Sequence, residues 1–208
     1  MSTHEPATAA PAVPCTNADA VRLLFTDART HGHWLPQAVD PALLRELYAL
    51  VRCGPTSMNT QPMRLKFVVS PAAKERLLAC VNPGNVAKTQ TAPVVVIVGQ
   101  DLAFPDHLPR LFAHKSDARA YYEGKPELTA ATALRNSSLQ AGYLILAARL
   151  LGLDCGPMSG FDASAVDRAF WAGTAVRTNL LCNLGYGDAT QQRPRPPRFE
   201  FDEVCEVV

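Results

Sequence analysis

The sequence predicts one α+β domain, in which helices and strands alternate only loosely along 208 residues. Residues 94–98 are five consecutive β-branched residues, so they indicate a strand that is covered on both faces and central in its sheet. Apolar residues at helical spacing predict helices on either side of it. The chain shows neither the repeated strand–helix period of a Rossmann domain nor an internal repeat.

Four elements are expected before the central strand. Apolar residues at i, i+3, i+4 and i+8 predict a helix within 19–31. A second helix should begin at Asp40, which precedes a proline in the favoured order of cap and first helical residue, and should end at Gly54. A strand over 66–70 and a helix over 71–80 follow.

The longest predicted helix covers 126–151. Its second half, 139–151, is apolar almost all round and is interrupted by Gln140, Gly142 and Arg149. This stretch is too short and too interrupted to span a bilayer, which takes about 20 apolar residues. Either a second copy of the chain covers it in a homodimer, which is the interpretation we favour, or its own chain wraps it.

Two segments flank the long helix. Residues 100–125 contain prolines, two histidines and several aromatic residues without a clear period, which is typical of a lid or substrate loop or of an irregular surface connection. After the long helix, a short helix from about 162 to 172 and an apolar strand over 179–185 precede a proline-rich basic tail.

Composition limits the classes of partner. A formal net charge of +1 provides no broad basic field, so neither nucleic acid nor an anionic membrane is expected as a partner. Six scattered cysteines, without a Cys-x-x-Cys pair or a cysteine–histidine cluster, indicate reduced thiols in a cytoplasmic protein and no metal site. Residues 1–18 lack the pattern of a signal peptide and are predicted to be a disordered arm before a single domain over 19–208.

Three polar motifs could carry a binding site. Asn85 and Lys88 stand three residues apart just before the central strand, where they offer an amide and a cation or simply form the wet face of a helix. The arginines of residues 193–198 stand among prolines and could bind a phosphate, act as a polyproline ligand or form a solvated tail. Polar residues between prolines in 54–62 could be a capped turn or part of a site.

These motifs, together with residues 152–162, occur in an order that resembles the nitroreductase family of FMN-dependent, NAD(P)H-oxidising flavoenzymes. The resemblance runs from about residue 19 to 203. It implies a three-layer α+β sandwich with a mixed central sheet, and a homodimer in which the C-terminal arms are exchanged. The chain has no Gly-x-Gly-x-x-Gly or Walker sequence, which fits an enzyme that meets NADH or NADPH only transiently.

The resemblance also implies the residues that hold FMN. Contacts are expected from Arg29, Thr30, His31, Arg193 and Arg195 at the phosphate and adjoining flavin, from Pro55, Thr56, Ser57 and Asn59 across the dimer interface, from Asn85 and Lys88 at the pyrimidine end of the ring, and from Pro157, Met158, Ser159 and Gly160 beside N5. A fixed cation near the pyrimidine end would stabilise the negative charge of the reduced ring. No side-chain nucleophile is required for ping-pong hydride transfer through N5.

A narrower resemblance bears on the electron acceptor. Residues 24–31, 135–141 and 185–188 are similar to the branch that contains the malonic semialdehyde reductases of bacterial uracil degradation. This implies reduction of malonic semialdehyde to 3-hydroxypropanoate. Arg119, which stands among aromatic residues, could bind the substrate carboxylate or could be a surface arginine paired with Asp117 or Glu123. A nitroaromatic or quinone reductase and a non-catalytic FMN-binding protein are the alternative functions.

Overall fold

The computed structural model describes residues 17–208. Most of the predicted disordered arm therefore lies outside the described residues. Asn17 and Ala18, which the sequence predicts to belong to that arm, instead begin the first helix, because the Asn17 side chain accepts a hydrogen bond from the backbone N–H of Ala20.

Eight α-helices are described in residues 17–208: α1 (Ala18–Val21), α2 (Pro41–Val51), α3 (Pro71–Leu78), α4 (Pro83–Thr91), α5 (Leu108–Leu111), α6 (Pro126–Leu150), α7 (Ala163–Phe170) and α8 (Phe201–Val204). α1 continues as a π-helical turn, Arg22–Thr26, so the predicted helix within 19–31 ends about five residues early. Asp40, Ser70 and Asp162 cap α2, α3 and α7 by accepting backbone N–H bonds in the first turn, which fixes where these helices begin.

Four strands form one sheet in the order β1-β2-β4-β3: β1 (Met63–Val68), β2 (Val94–Asp101), β3 (Asp154–Met158) and β4 (Val176–Gly185). All neighbouring strands pair antiparallel, so the sheet of one chain is antiparallel rather than mixed. Within residues 17–208 the one parallel pairing is an isolated bridge between Thr30 and Cys155. The sequence did not predict β3, since Gly156 and Pro157 both disfavour a strand interior.

The sheet lies between two helical layers, which confirms the sandwich architecture. One apolar cluster joins α2 and α6 to one face of the sheet, and a second joins α3 and α7 to the other. β2 is the clearest example, because Val94, Val96 and Val98 belong to the first cluster while Val95 and Ile97 belong to the second. This placement explains why the predicted central strand has no polar residue.

α6 is 25 residues long and matches its prediction to within one residue. Ala141, Leu144 and Ala148 are buried against the sheet, whereas Leu139 and Leu150 remain exposed on the other side. The helix is therefore not wrapped by its own chain. The exposed apolar side is what an interface with a second copy would bury. No helix described in residues 17–208 is both long and apolar enough to span a bilayer.

Residues 100–125 fold as a small substructure of short helical turns. Phe104, Leu108 and Tyr122 pack into a third apolar cluster, which also contacts α6. The segment is joined to the turn before β1, because the side-chain amide of Asn59 donates to the carbonyl oxygen of Leu111 at 2.8 Å. The two segments therefore form one unit on the surface of the domain.

Candidate functional site

A cleft of about 940 Å³ opens between residues 25–33 (here called the N-terminal segment), helix α4 and residues 191–198 (here called the C-terminal tail). Its size lies in the range of small-molecule and cofactor sites, about 300–1,000 Å³. Six cationic side chains and one carboxylate line it: Arg29, Lys88, Arg149, Arg193, Arg195, Arg198 and Asp188. The cleft therefore has the charge of an anion-binding site.

Backbone carbonyls of residues 24–28 hold two of these arginines. Nη1 of Arg149 donates to the carbonyl oxygen of Leu24 at 2.8 Å, and Nη2 of Arg195 donates to those of Thr26 and Ala28 at 2.7 and 2.8 Å. Leu24 and Thr26 belong to the π-helical turn and Ala28 follows it; such turns are frequent at functional sites. Because carbonyl partners carry no charge, the arginines are positioned but not neutralised.

The N-terminal segment also donates a hydrogen bond to the tail. Nη2 of Arg29 donates to the carbonyl oxygen of Arg193 at 2.5 Å. Among the residues that the structure describes, none of the six cations forms an ion pair with a carboxylate. Asp188 is occupied by Thr190, whose hydroxyl and backbone N–H both donate to it and lower the pKa of Asp188. The positive charge of the cleft is thus left for a bound anion.

Lys88 is presented by a well-anchored helix. Its backbone carbonyl accepts hydrogen bonds from Nε1 of Trp34 at 3.0 Å and from the Asn183 amide at 3.2 Å. At the end of the same helix, Lys74 donates to the carbonyl oxygens of Gln90 and Ala92, in the region where helix carbonyls lack intrahelical partners. The side chain of Lys88 is half-buried and lines the cleft.

Two predicted motifs meet at the first turns of α4. The side-chain amide of Asn85 donates to the carbonyl oxygen of Gly160 at 2.9 Å, and the backbone N–H of Asn82 donates to the same oxygen at 3.1 Å. One helical turn later, the Thr89 hydroxyl contacts Sδ of Met158. Asn85 and Thr89 of α4 therefore contact the 157–160 segment, although about 70 residues separate them in the sequence. Lys88 lines the cleft, whereas Asn85 and residues 157–160 are not part of its lining.

His31 is a structural connection rather than an open cleft residue. It is 8% exposed, with Nδ1 at 2.7 Å from the Gln192 amide and Nε2 at 3.3 Å from the Asp154 carboxylate. Burial lowers the pKa of His31, and this outweighs the opposing effect of Asp154. Neighbouring Thr30 does line the cleft. The histidine thereby joins the N-terminal segment, β3 and the tail.

The turn at residues 55–61 does not reach the cleft of its own chain. Met58, Asn59 and Gln61 have φ values of 50°, 49° and 43°, which is costly backbone for residues other than glycine. The turn is held against α6, where the Asn136 side chain bonds to both the backbone N–H and the hydroxyl of Ser57. Strained backbone that the surrounding structure maintains is typical of binding sites.

Arg119 also lies outside the cleft. Its guanidinium is 56% exposed and forms an ion pair with Asp106 at 3.0 Å, rather than with Asp117 or Glu123. Within residues 17–208 no group of three or more metal-ligating side chains is present.

Arg149 and Arg198 are cleft residues that the sequence analysis did not assign. Arg149 left a signal, since it is the one charged residue in the apolar half of α6. The sequence gives a weaker indication for Arg198, because its spacing does not distinguish it from the other arginines of the proline-rich tail.

Comparisons with known proteins agree with this architecture. A family model described as "Nitroreductase family" matches residues 27–186. A protein of Stutzerimonas stutzeri named "Putative NADH dehydrogenase/NAD(P)H nitroreductase" is 57% identical over 189 residues, which cover 91% of this chain and 96% of the relative. A Burkholderia lata protein of the same description is 57% identical over 188 residues, 90% of this chain and 96% of its own.

Solved structures share the fold at low sequence identity. A Bacillus subtilis protein described as a "putative nitroreductase" superposes with a TM-score of 0.85 at 23% identity, and the match covers 92% of this chain and 99% of that protein. An Exiguobacterium sibiricum protein, described as a "putative nitroreductase in complex with FMN", superposes with a TM-score of 0.82 at 17% identity, and the match covers 91% of this chain and 97% of that protein. The chain therefore belongs to the nitroreductase family.

Proposed function

We propose that this chain is an FMN-dependent NAD(P)H oxidoreductase that works as a homodimer. The observation that carries this proposal is the cationic cleft, where both ends of the domain supply arginines that lack carboxylate partners in the described part of the chain. Relatives more than half identical are named for an NAD(P)H-linked activity, and a protein of the same fold was crystallised with FMN.

The cleft suits a phosphate monoester. Guanidinium groups bind phosphate through paired hydrogen bonds, and Arg29, Arg193 and Arg195 all reach the cleft with donors to spare. When bound, FMN accepts a hydride from NAD(P)H and transfers it to the second substrate. Lys88 would place a cation by the ring, where it would stabilise negative charge as it develops, and the two bonds to its backbone carbonyl would hold the base of this side chain in place.

A second copy of the chain would complete the site. The turn at 55–61 is held on α6 beside the helix side that exposes Leu134 and Leu139, so a partner that packs on α6 would also meet this turn. The tail is followed by exposed Phe199 and Phe201, which an exchanged arm would bury on the partner. The cytoplasm is the expected location, because the described cysteines are free thiols.

We further propose malonic semialdehyde as the acceptor, reduced to 3-hydroxypropanoate, with nitroaromatics or quinones as the alternative class. Arg119 belongs to the 100–125 segment, which contacts the strained turn through the Asn59–Leu111 bond and through the Tyr122 hydroxyl on Sδ of Met58. If that turn meets the partner's cleft, the segment that carries Arg119 would lie beside the same cleft, and Arg119 would exchange its ion pair with Asp106 for the substrate. It would then supply a cation for the substrate carboxylate.

We predict that the purified protein is yellow and that it releases FMN, not FAD, on denaturation. The reason is that the cleft ends in one cationic cluster, while the chain lacks a glycine-rich loop for a pyrophosphate. Chromatography of the released flavin tests this identity. Colourless protein that takes up no added FMN would contradict the whole proposal. FMN-loaded protein that fails to oxidise NAD(P)H, whichever acceptor is added, would indicate a flavin-storing protein.

We predict that Arg119→Met raises KM for malonic semialdehyde about tenfold or more, since a charged hydrogen bond is worth roughly 1.5–3 kcal/mol. KM and kcat for an uncharged quinone should be almost unchanged. Lys115→Met, which removes another exposed cation from the same segment, is the matched control. Equal losses with both acceptors would indicate disorder of the segment, and no loss with either would remove Arg119 from the site.

A further inference from the structure

Arg149 is a charged residue with an unusual environment. It lies in the last turn of α6, within the apolar half of the helix, and its side chain lines the cleft. Nη1 donates to the carbonyl oxygen of Leu24, but Nε is buried and has no hydrogen-bond partner among the described residues. Because Nε is enclosed by the protein, the donor that a ligand in the cleft can meet is Nη2, which forms no hydrogen bond within residues 17–208 and is not among the buried unpaired atoms.

The neighbours of Arg149 do not neutralise its charge. No carboxylate within residues 17–208 forms an ion pair with it, and the other long side chains of the cleft are mostly cations. Arg195 binds carbonyls two and four residues beyond the one that Arg149 binds, so the two guanidinium groups hold the same short segment. Like charges brought together at a cleft wall favour a bound anion.

We propose that Arg149 is a direct anion-binding residue of the cleft and that it contacts the phosphate of FMN. This inference rests on the proposed function, and it adds a phosphate contact from α6 to those from the N-terminal segment and the tail. A purely structural role is the competing explanation, because an arginine in the last turn of a helix also interacts favourably with the helix dipole and here holds Leu24.

Paired titrations with FMN and riboflavin separate these roles, because the two ligands differ only in the phosphate. Arg149→Met should raise the Kd for FMN about ten- to a hundredfold while changing the Kd for riboflavin by less than about threefold. Arg149→Lys should lie between the wild type and Arg149→Met, since lysine retains the charge but not the guanidinium geometry. Arg168→Met, which removes an exposed arginine from the last turn of α7, is the control.

Equal losses for FMN and riboflavin, or no loss for either, would overturn the inference and leave Arg149 a structural residue. Should Arg149→Met not fold, the same ratio of affinities measured with Arg149→Lys decides the question. Failure of the proposed function is recognised separately, because the wild-type protein would then bind neither flavin.

Discussion

Arg195→Ala is expected to weaken FMN binding by about one to two decades, because a charged hydrogen bond is worth roughly 1.5–3 kcal/mol. Two effects should act in the same direction. The variant loses a guanidinium from the cleft, and it also loses the bonds from Nη2 to the carbonyl oxygens of Thr26 and Ala28. The neighbouring Arg29 would then lose part of its support, since it lies on the same segment.

Quenching of flavin fluorescence on binding provides the measurement. Arg168→Ala removes the same charge from a helix outside the cleft and should leave the Kd unchanged. The loss for Arg195→Ala should become smaller at high salt, because screening weakens the contribution of exposed charges. An unchanged Kd for Arg195→Ala would mean that the proline-rich tail is solvated and takes no part in binding.

Gly187→Ala is expected to lower the free energy of unfolding by about 2–3 kcal/mol, the upper part of the range for overpacked sites. A Cβ at this position would lie 1.9 Å from Nδ1 of His31 and 2.3 Å from two further ring atoms. The ring cannot move aside without leaving Asp154 or Gln192. Because Gln192 begins the tail that carries Arg193 and Arg195, FMN binding should weaken as well.

Chemical denaturation of the flavin-free protein measures this loss without interference from ligand binding. Gly84→Ala is the control for stability, since nothing lies within 4 Å of its added Cβ and its backbone conformation suits any residue. A stability equal to that of the wild type would show that the His31 ring moves at little cost. The connection between β3 and the tail would then not depend on the histidine.

The central strand and the long helix were predictable because their residues carry the information locally. Residues 94–98 are apolar on both faces, and a strand with two apolar faces must be covered from both sides. The start of α2 was equally readable, since Asp40 and the following proline specify a helix N-terminus without help from the rest of the chain. β3 was missed, because pairing with β4 holds Gly156 and Pro157 extended against their own preferences.

The candidate residues of the site could be predicted from the sequence, but their contacts with one another could not. Asn85 and Lys88 could be selected by residue type, yet only the folded chain shows that Asn85 bonds to Gly160. The resemblance implies a flavin contact for His31, and only the folded chain shows that its side chain lies between Asp154 and Gln192. Arg149 is distinguished in the sequence as the one charged residue in the apolar half of α6, but this does not separate a surface arginine from a site residue, because the difference depends on what lies beside it in the folded chain.

The sequence by itself determined the α+β class, the covered central strand, the 25-residue helix and the order of motifs that identifies the family. These follow from local periodicity, capping and residue type, which act over a few neighbouring residues. Tertiary structure alone decided that arginines from the N-terminal segment, α6 and the tail meet in one cleft. Two long-range hydrogen bonds, from Arg149 to Leu24 and from Arg195 to Thr26, hold this arrangement together. Local sequence patterns cannot predict them, because the partners are more than 100 residues apart.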